Sequence, residues 1–181
     1  MTFDLAGFLA AKRPNTATCP IALDSDVVQA HVEAQAAVDV ARAVVEANSN
    51  SVSRSALAEA EEALEAAVAA SEAATQVFAF VGLDGPSWDA LVDAHPPTPE
   101  QIRRAKKLDQ PKPNWDEDTF PAALIAACSS DPELTAEEAQ ELLAAPNMNA
   151  AETGGLFIAA HSASRTRRIP QLGKGSGSTR S

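Results

Sequence analysis

Tyrosine is absent from this 181-residue chain, and aromatic side chains make up only 4% of it. Much of its 45% apolar content is alanine, which buries little area, so the dense core is expected to be small and joined to extended helical parts. The only two cysteines, Cys19 and Cys128, lie far apart and outside any CxxC-like pair. That argues against a disulfide framework or a zinc site and fits a reducing cytosol. Long apolar runs are also missing. The opening "MTFDLAGFLAAKRP" carries its positive charges after its apolar residues, so neither a signal peptide nor a membrane span is expected.

Basic charge is scarce and unevenly placed. The net charge is −11, yet residues 163–181 hold five basic side chains and no acid. Residues 1–162 therefore carry nine basic and 25 acidic groups, a net −16. Such a body repels nucleic-acid phosphates, which leaves proteins or basic surfaces as partners.

The patterns that are present predict a mainly α fold with a small two-stranded β element. A short amphipathic helix over residues 2–12, with Phe3, Leu5, Phe8 and Leu9 as its apolar side, precedes a strand at "ATCPIALD", where Pro20 requires a sheet edge. From Ser25 to Asn48 the chain reads as a helix capped by Ser25 and Asp26, with Val27, His31, Val38 and Val45 near a seven-residue period. A second stripe runs through Val28, Val32, Val40 and Val44. "NSNS" is a turn, and the following helix repeats Leu57, Leu64, Val68 and Ser71 at near-heptad spacing. Two helices of roughly 22 residues joined by four polar ones predict an antiparallel, coiled-coil-like hairpin, an arm or spacer. The alternative is two helices of an ordinary globular bundle. "QVFAFVGL" reads as the second strand, pairing with residues 17–23, so the hairpin is inserted between the strands.

Short, capped helices follow. Pro86 opens one carrying Trp88, Leu91 and Val92, and capping boxes are expected at Thr98/Gln101, Thr135/Glu138 and Asn149/Glu152. "FPAALIAAC" forms another helix, stopped at "SSDP". After Ser162 the Ser, Gly and Arg content predicts a disordered basic tail. The domain division is then 1–24 (first helix and strand), 25–75 (helical hairpin), 76–162 (second strand and compact helical bundle) and 163–181 (tail).

Chemistry is harder to find. His31, His95 and His161 lack the spacing of a metal or acid–base site, and Cys128 lies on an apolar helix face without a nearby histidine in sequence. "GKGSGS" lacks the phosphate-loop spacing, and the acidic runs follow helical periodicity with no calcium-loop pattern. No catalytic, metal or cofactor-binding residue is expected, which leaves binding. Trp88, Leu91, Phe120, Leu124, Leu142, Leu143 and Phe157 concentrate large apolar groups in the helical part. Most must form its core, while a surplus lines a groove for an apolar partner segment. Trp88, Leu91, Phe120, Leu124, Leu142 and Phe157 are the candidate partner-binding residues.

Residues 76–160 resemble the tail assembly chaperones of long-tailed, siphovirus-type phages, particularly those of actinobacteria. The stretches that carry the likeness are "FAFVGLDGPSWDALVDAHPPTPEQ", "DTFPAALIAACSSDPELTAEEAQELL" and "GGLFIAA", in that order and spacing. The strand, hairpin and strand before them are similar to the amino-terminal part of such proteins. "FVGLDGPSW" departs from the family with a Gly-Leu-Asp-Gly-Pro turn where basic residues are common, and "APNMNAAETGG" sets two glycines inside the last helix.

The resemblance implies a non-enzymatic protein of the host cytoplasm. It would bind the aggregation-prone tape measure protein, release it as tail tube subunits polymerise, and be missing from the finished virion. It also implies a longer product made by a minus-one ribosomal slip, for which Leu172, Gly173 and Lys174 encoded as CTG GGA AAG would supply the slippery run; an ordinary basic tail is the alternative. The partners implied are the tape measure protein, with the tail tube protein, the chain's own long form and further copies of itself as additional candidates. No nucleic acid or membrane is among them. A structural coiled-coil adaptor or minor tail component is the competing function.

Overall fold

The computed structural model describes residues 4–165 and holds, among them, eight helices and three short strands. In chain order these are α1 (Leu5–Ala11), β1 (Thr16–Ala22), α2 (Ser25–Ala47), α3 (Ser51–Ala73), β2 (Thr75–Val81), α4 (Gly85–Ala94), α5 (Pro99–Lys107), α6 (Phe120–Cys128), β3 (Ser129–Asp131), α7 (Ala136–Ala144) and α8 (Ala150–Arg165). The fold is mainly helical, but the antiparallel sheet has three strands rather than the expected two, in the order β1-β2-β3. β3 is only three residues long, too short to show an alternation. Its pairing with β2, Phe80 opposite Ser129 and Ala79 opposite Asp131 across a register shift, defines it. Ser130 Oγ adds a bond to the Ala79 carbonyl at 3.1 Å. Pro20 sits in the edge strand β1, where a missing N–H is tolerated.

The described residues divide into two compact units, Thr18–Phe78 in one and 4–17 with 79–165 in the other. In the first, α2 and α3 pack against each other. Of the two valine stripes on α2, the one through Val27, His31, Val38 and Val45 is sheltered, with Ala34 and Ala41 completing an alternating three-and-four spacing. Val38 is its fully buried member, whereas Val28, Val32, Val40 and Val44 are exposed. On α3 the sheltered set includes Leu57, Leu64, Val68 and Ser71.

The α2 cap is Asp24 rather than Ser25 or Asp26: its carboxylate accepts the Asp26 N–H at 2.9 Å because Asp24 is the last extended residue before the helix. Residues 48–50 form the connection. Asn50 Oδ1 accepts the Ser53 N–H at 2.9 Å while Ser53 Oγ accepts the Asn50 N–H at 3.0 Å and donates to the Asn48 carbonyl. This is a capping box with serine in the place usually taken by Glu or Gln.

The second unit is built around α6. Its residues are apolar on every side, and Phe120, Leu124 and Ile125 are wholly buried. α7 and α8 pack on it and contribute Ala139, Leu156 and Ala160 to the same core. The three expected capping boxes are formed. In the α7 box, hydrogen bonds from the Thr135 N–H and hydroxyl hold the Glu138 carboxyl below its usual range.

α5 ends with Asp109 at φ 54° and the Gln110 N–H bonded to the Ala105 carbonyl at 2.9 Å, a left-handed cap without glycine. Helix α8 continues to Arg165, three residues past its expected end at Ser162. Its last turn is docked, Ser164 Oγ accepting the Leu83 N–H at 3.2 Å and donating to the Ala160 carbonyl. The remainder of the basic tail, with the Leu172–Lys174 codons, lies outside the described residues.

Candidate partner-binding site

Gln101 organises the most concentrated group of aromatic side chains. Its amide is buried, and Oε1 accepts the Thr98 N–H at 3.1 Å as part of the α5 cap. The Nε2 group of the same side chain donates to Asp116 Oδ1 at 2.9 Å and Asp118 Oδ2 at 3.2 Å. One side chain therefore ties the polar segment before α6 to the start of α5. Asp116 also donates its N–H to the His95 carbonyl at 2.8 Å and accepts the Asp118 N–H at 2.9 Å. The Asp118 N–H first, then the Gln101 amide, keep the Asp116 carboxyl below its ordinary range. Trp115 immediately precedes these anchors.

Trp115 stacks on Phe120, with ring centroids 4.5 Å apart and planes 19° from parallel. Trp88 from α4 meets Phe120 and Trp115 edge-on at 5.7 and 6.2 Å. From α8, His161 approaches Trp88 at 5.5 Å, Trp115 at 6.1 Å and Phe157 at 5.8 Å. The Arg165 guanidinium lies 5.1 Å from the Trp88 ring centroid, in the position of a cation–π contact. Burial first, then the Arg165 charge, lowers the His161 pKa, so the ring is neutral at physiological pH.

Two open grooves adjoin this cluster. One of about 460 Å³ is lined by Trp88, Val92, Asn114, Trp115, His161 and Arg165. The other, about 490 Å³, runs over Pro121, Leu143, Thr153, Gly154 and Phe157 with Glu117 and Asp118 at its edge. Phe157 links them, being in ring contact with Trp115 and His161 while lining the second. At Gly154 an added Cβ would meet nothing within 4 Å, so helix backbone lies bare to that groove.

The six candidate residues separate into two kinds. Phe120 and Leu124 are fully buried and Trp88 is 6% exposed, so these three are core or groove floor. Leu91, Leu142 and Phe157 are half-buried, and only Trp88 and Phe157 among the six line a groove of the aromatic cluster. Trp115, His161 and Gly154 were not anticipated as site residues. The available signal was Trp115 itself, one of two tryptophans in the chain, set in the polar stretch "PNWDEDTF" with no helical pattern to absorb it.

A nucleophilic role finds no geometric support at Cys128. Its thiol is 1% exposed, lies 3.3 Å from Ser164 Oγ, and is pushed up in pKa by burial, the reverse of activation. His95 Nδ1 is engaged with Thr119 Oγ1 at 2.9 Å. Among the described residues no group of three or more His, Cys, Asp or Glu could hold a metal ion, and no helix is long and apolar enough to cross a membrane. In comparisons with protein-family models, curated proteins and solved structures, the chain matches none of them.

Proposed function

We propose that the chain is a tail assembly chaperone of the long-tailed phage type, which binds the tape measure protein in the host cytoplasm, keeps it soluble and yields it to the growing tail tube. The observation that carries this reading is the pair of shallow grooves joined at Phe157, with half-exposed aromatic rings at Trp115 and His161 and uncovered helix backbone at Gly154. Such a surface suits apolar side chains of an extended or helical segment, and bare glycine backbone lets that segment come close. The order of the stretches between residues 76 and 160 supports the same family.

In this reading α2 and α3 form an antiparallel, coiled-coil-like hairpin between β1 and β2, and the acidic exterior keeps the client complex soluble. Open grooves hold any one client segment weakly, and many copies along a long client supply avidity that is lost as the tube displaces them. The chain makes and breaks no covalent bond, leaves with assembly, and is accompanied by a longer minus-one product.

Co-expression tests the proposal. Wild-type chain should move the tape measure protein from the insoluble to the soluble fraction, and Trp115→Ala or Gly154→Leu should reduce the soluble yield several-fold while the variants stay folded. Equal client solubility with and without the chain would overturn the function. Full activity in both variants would overturn the site.

A further inference from the structure

We infer that the chain self-associates through one side of the α2/α3 pair, a second copy of this protein being the occupant of an exposed alanine–valine face. The observation is an asymmetry between the two sides of that pair. At 100° per residue, Ala37, Val40, Ala41 and Val44 of α2 fall on the same side as Val52, Ala56 and Ala60 of α3. A groove of about 650 Å³ runs there, lined by all of these but Val52, with Glu33, Ala36 and Ser53. Val40, Val44 and Val52 are 66%, 50% and 75% exposed, large values for apolar side chains. Along α2 and α3 the charges on this side are Asp26, Glu33 and Glu59. The opposite side carries Asp39, Arg42, Glu46, Arg54, Glu61, Glu65 and Glu72, with Arg42 and Glu61 in a 3.5 Å ion pair.

Three considerations select a second copy over another partner. The first is charge: a chain of net −11 repels itself over most of its surface, and this face, the less charged side of the pair, is where two copies approach at lower cost. The second is shape. A two-fold contact needs ridge and groove on one patch, and here the Val40/Val44 ridge lies beside rows of alanine at Ala37/Ala41 and Ala56/Ala60, which admit helix axes at about 8 Å. The third is area. Two 23-residue helices side by side are about 35 Å long and about 17 Å wide, so the whole side offers at most about 600 Å² per copy and at most about 1,200 Å² per pair, the lower bound of a specific interface. An area at or below that bound belongs with weak, transient contacts, so the dimer is expected to be reversible rather than permanent.

Sedimentation velocity of the full chain across micromolar concentrations tests this, with Val40→Glu/Val44→Glu as the disrupting variant and Val32→Glu as the same chemistry on an exposed valine away from the groove. The expected result is a concentration-dependent species of twice 18.8 kDa in wild type and Val32→Glu, and loss of that species in the double variant with its helical circular dichroism intact. A wild-type chain that stays monomeric throughout overturns the inference and leaves the face to a foreign apolar segment. So does a dimer that survives the double variant, or one that Val32→Glu abolishes equally.

Discussion

Replacing Trp115 by alanine removes the ring that closes the aromatic cluster, and the size of the effect follows from its packing. A tryptophan presents about 150–250 Å² for burial, and Trp115 is mostly but not fully covered, so at least about 100 Å² of contact is lost, or at least about 2.5 kcal/mol. The stacked arrangement on Phe120 adds about 0.5–1.5 kcal/mol. A loss of about 3–4 kcal/mol is a large part of the 5–15 kcal/mol typical of a domain, yet leaves a folded protein. Urea unfolding followed by the fluorescence of Trp88, then the sole tryptophan, should show the midpoint falling by about 1.5–2 M for a slope near 2 kcal/mol/M. Trp115→Phe, which keeps a stacking ring, should recover more than half of the loss. An unchanged midpoint in the alanine variant would refute the placement of Trp115 on Phe120 and, with it, the groove it lines.

Three further outcomes are expected. Gly154→Ala should raise stability by about 1 kcal/mol in the same urea assay, since the methyl group enters open space in a helix interior. Gly82→Ala should lower it by about 1–3 kcal/mol or more, because the new Cβ overlaps the Ala163 carbonyl, a backbone group with little freedom to withdraw. His161 makes stability depend on pH. Its folded pKa lies below the ordinary 6.5, so the unfolded chain takes the proton first, and thermal unfolding temperature should hold above about pH 6.5, fall below it, and level off beneath the folded value; His161→Phe should remove that step. The depressed carboxyls of Asp84, Asp116 and Glu138 act in a separate, more acidic window, contributing above their unfolded values and failing as pH drops through the folded ones.

What could be read from the sequence was local chemistry. Thr98 with Gln101, Thr135 with Glu138 and Asn149 with Glu152 announce helix starts because each bond spans three residues. The long helices were legible from periodicity, but the periodicity allowed two stripes on α2, and only the packing of α3 selects Val38 over Val40. β3 could not be read, since its three residues are extended only by pairing with Phe80 and Ala79, some 50 positions away. The same limit applies to the site. Apolarity alone proposed Phe120 and Leu124 together with Phe157, although the first two are core and the third is half-exposed. Trp115 owes its position to Gln101, Asp116 and Asp118, bonds that join segments 15 and 17 residues apart.

The most direct measurement is quantitative mass spectrometry of this chain in two preparations from one infected culture: complexes captured on the tape measure protein before tails are complete, and purified mature particles. Many copies per client are expected in the first and essentially none in the second. Fixed, stoichiometric copies in the mature particle would contradict it.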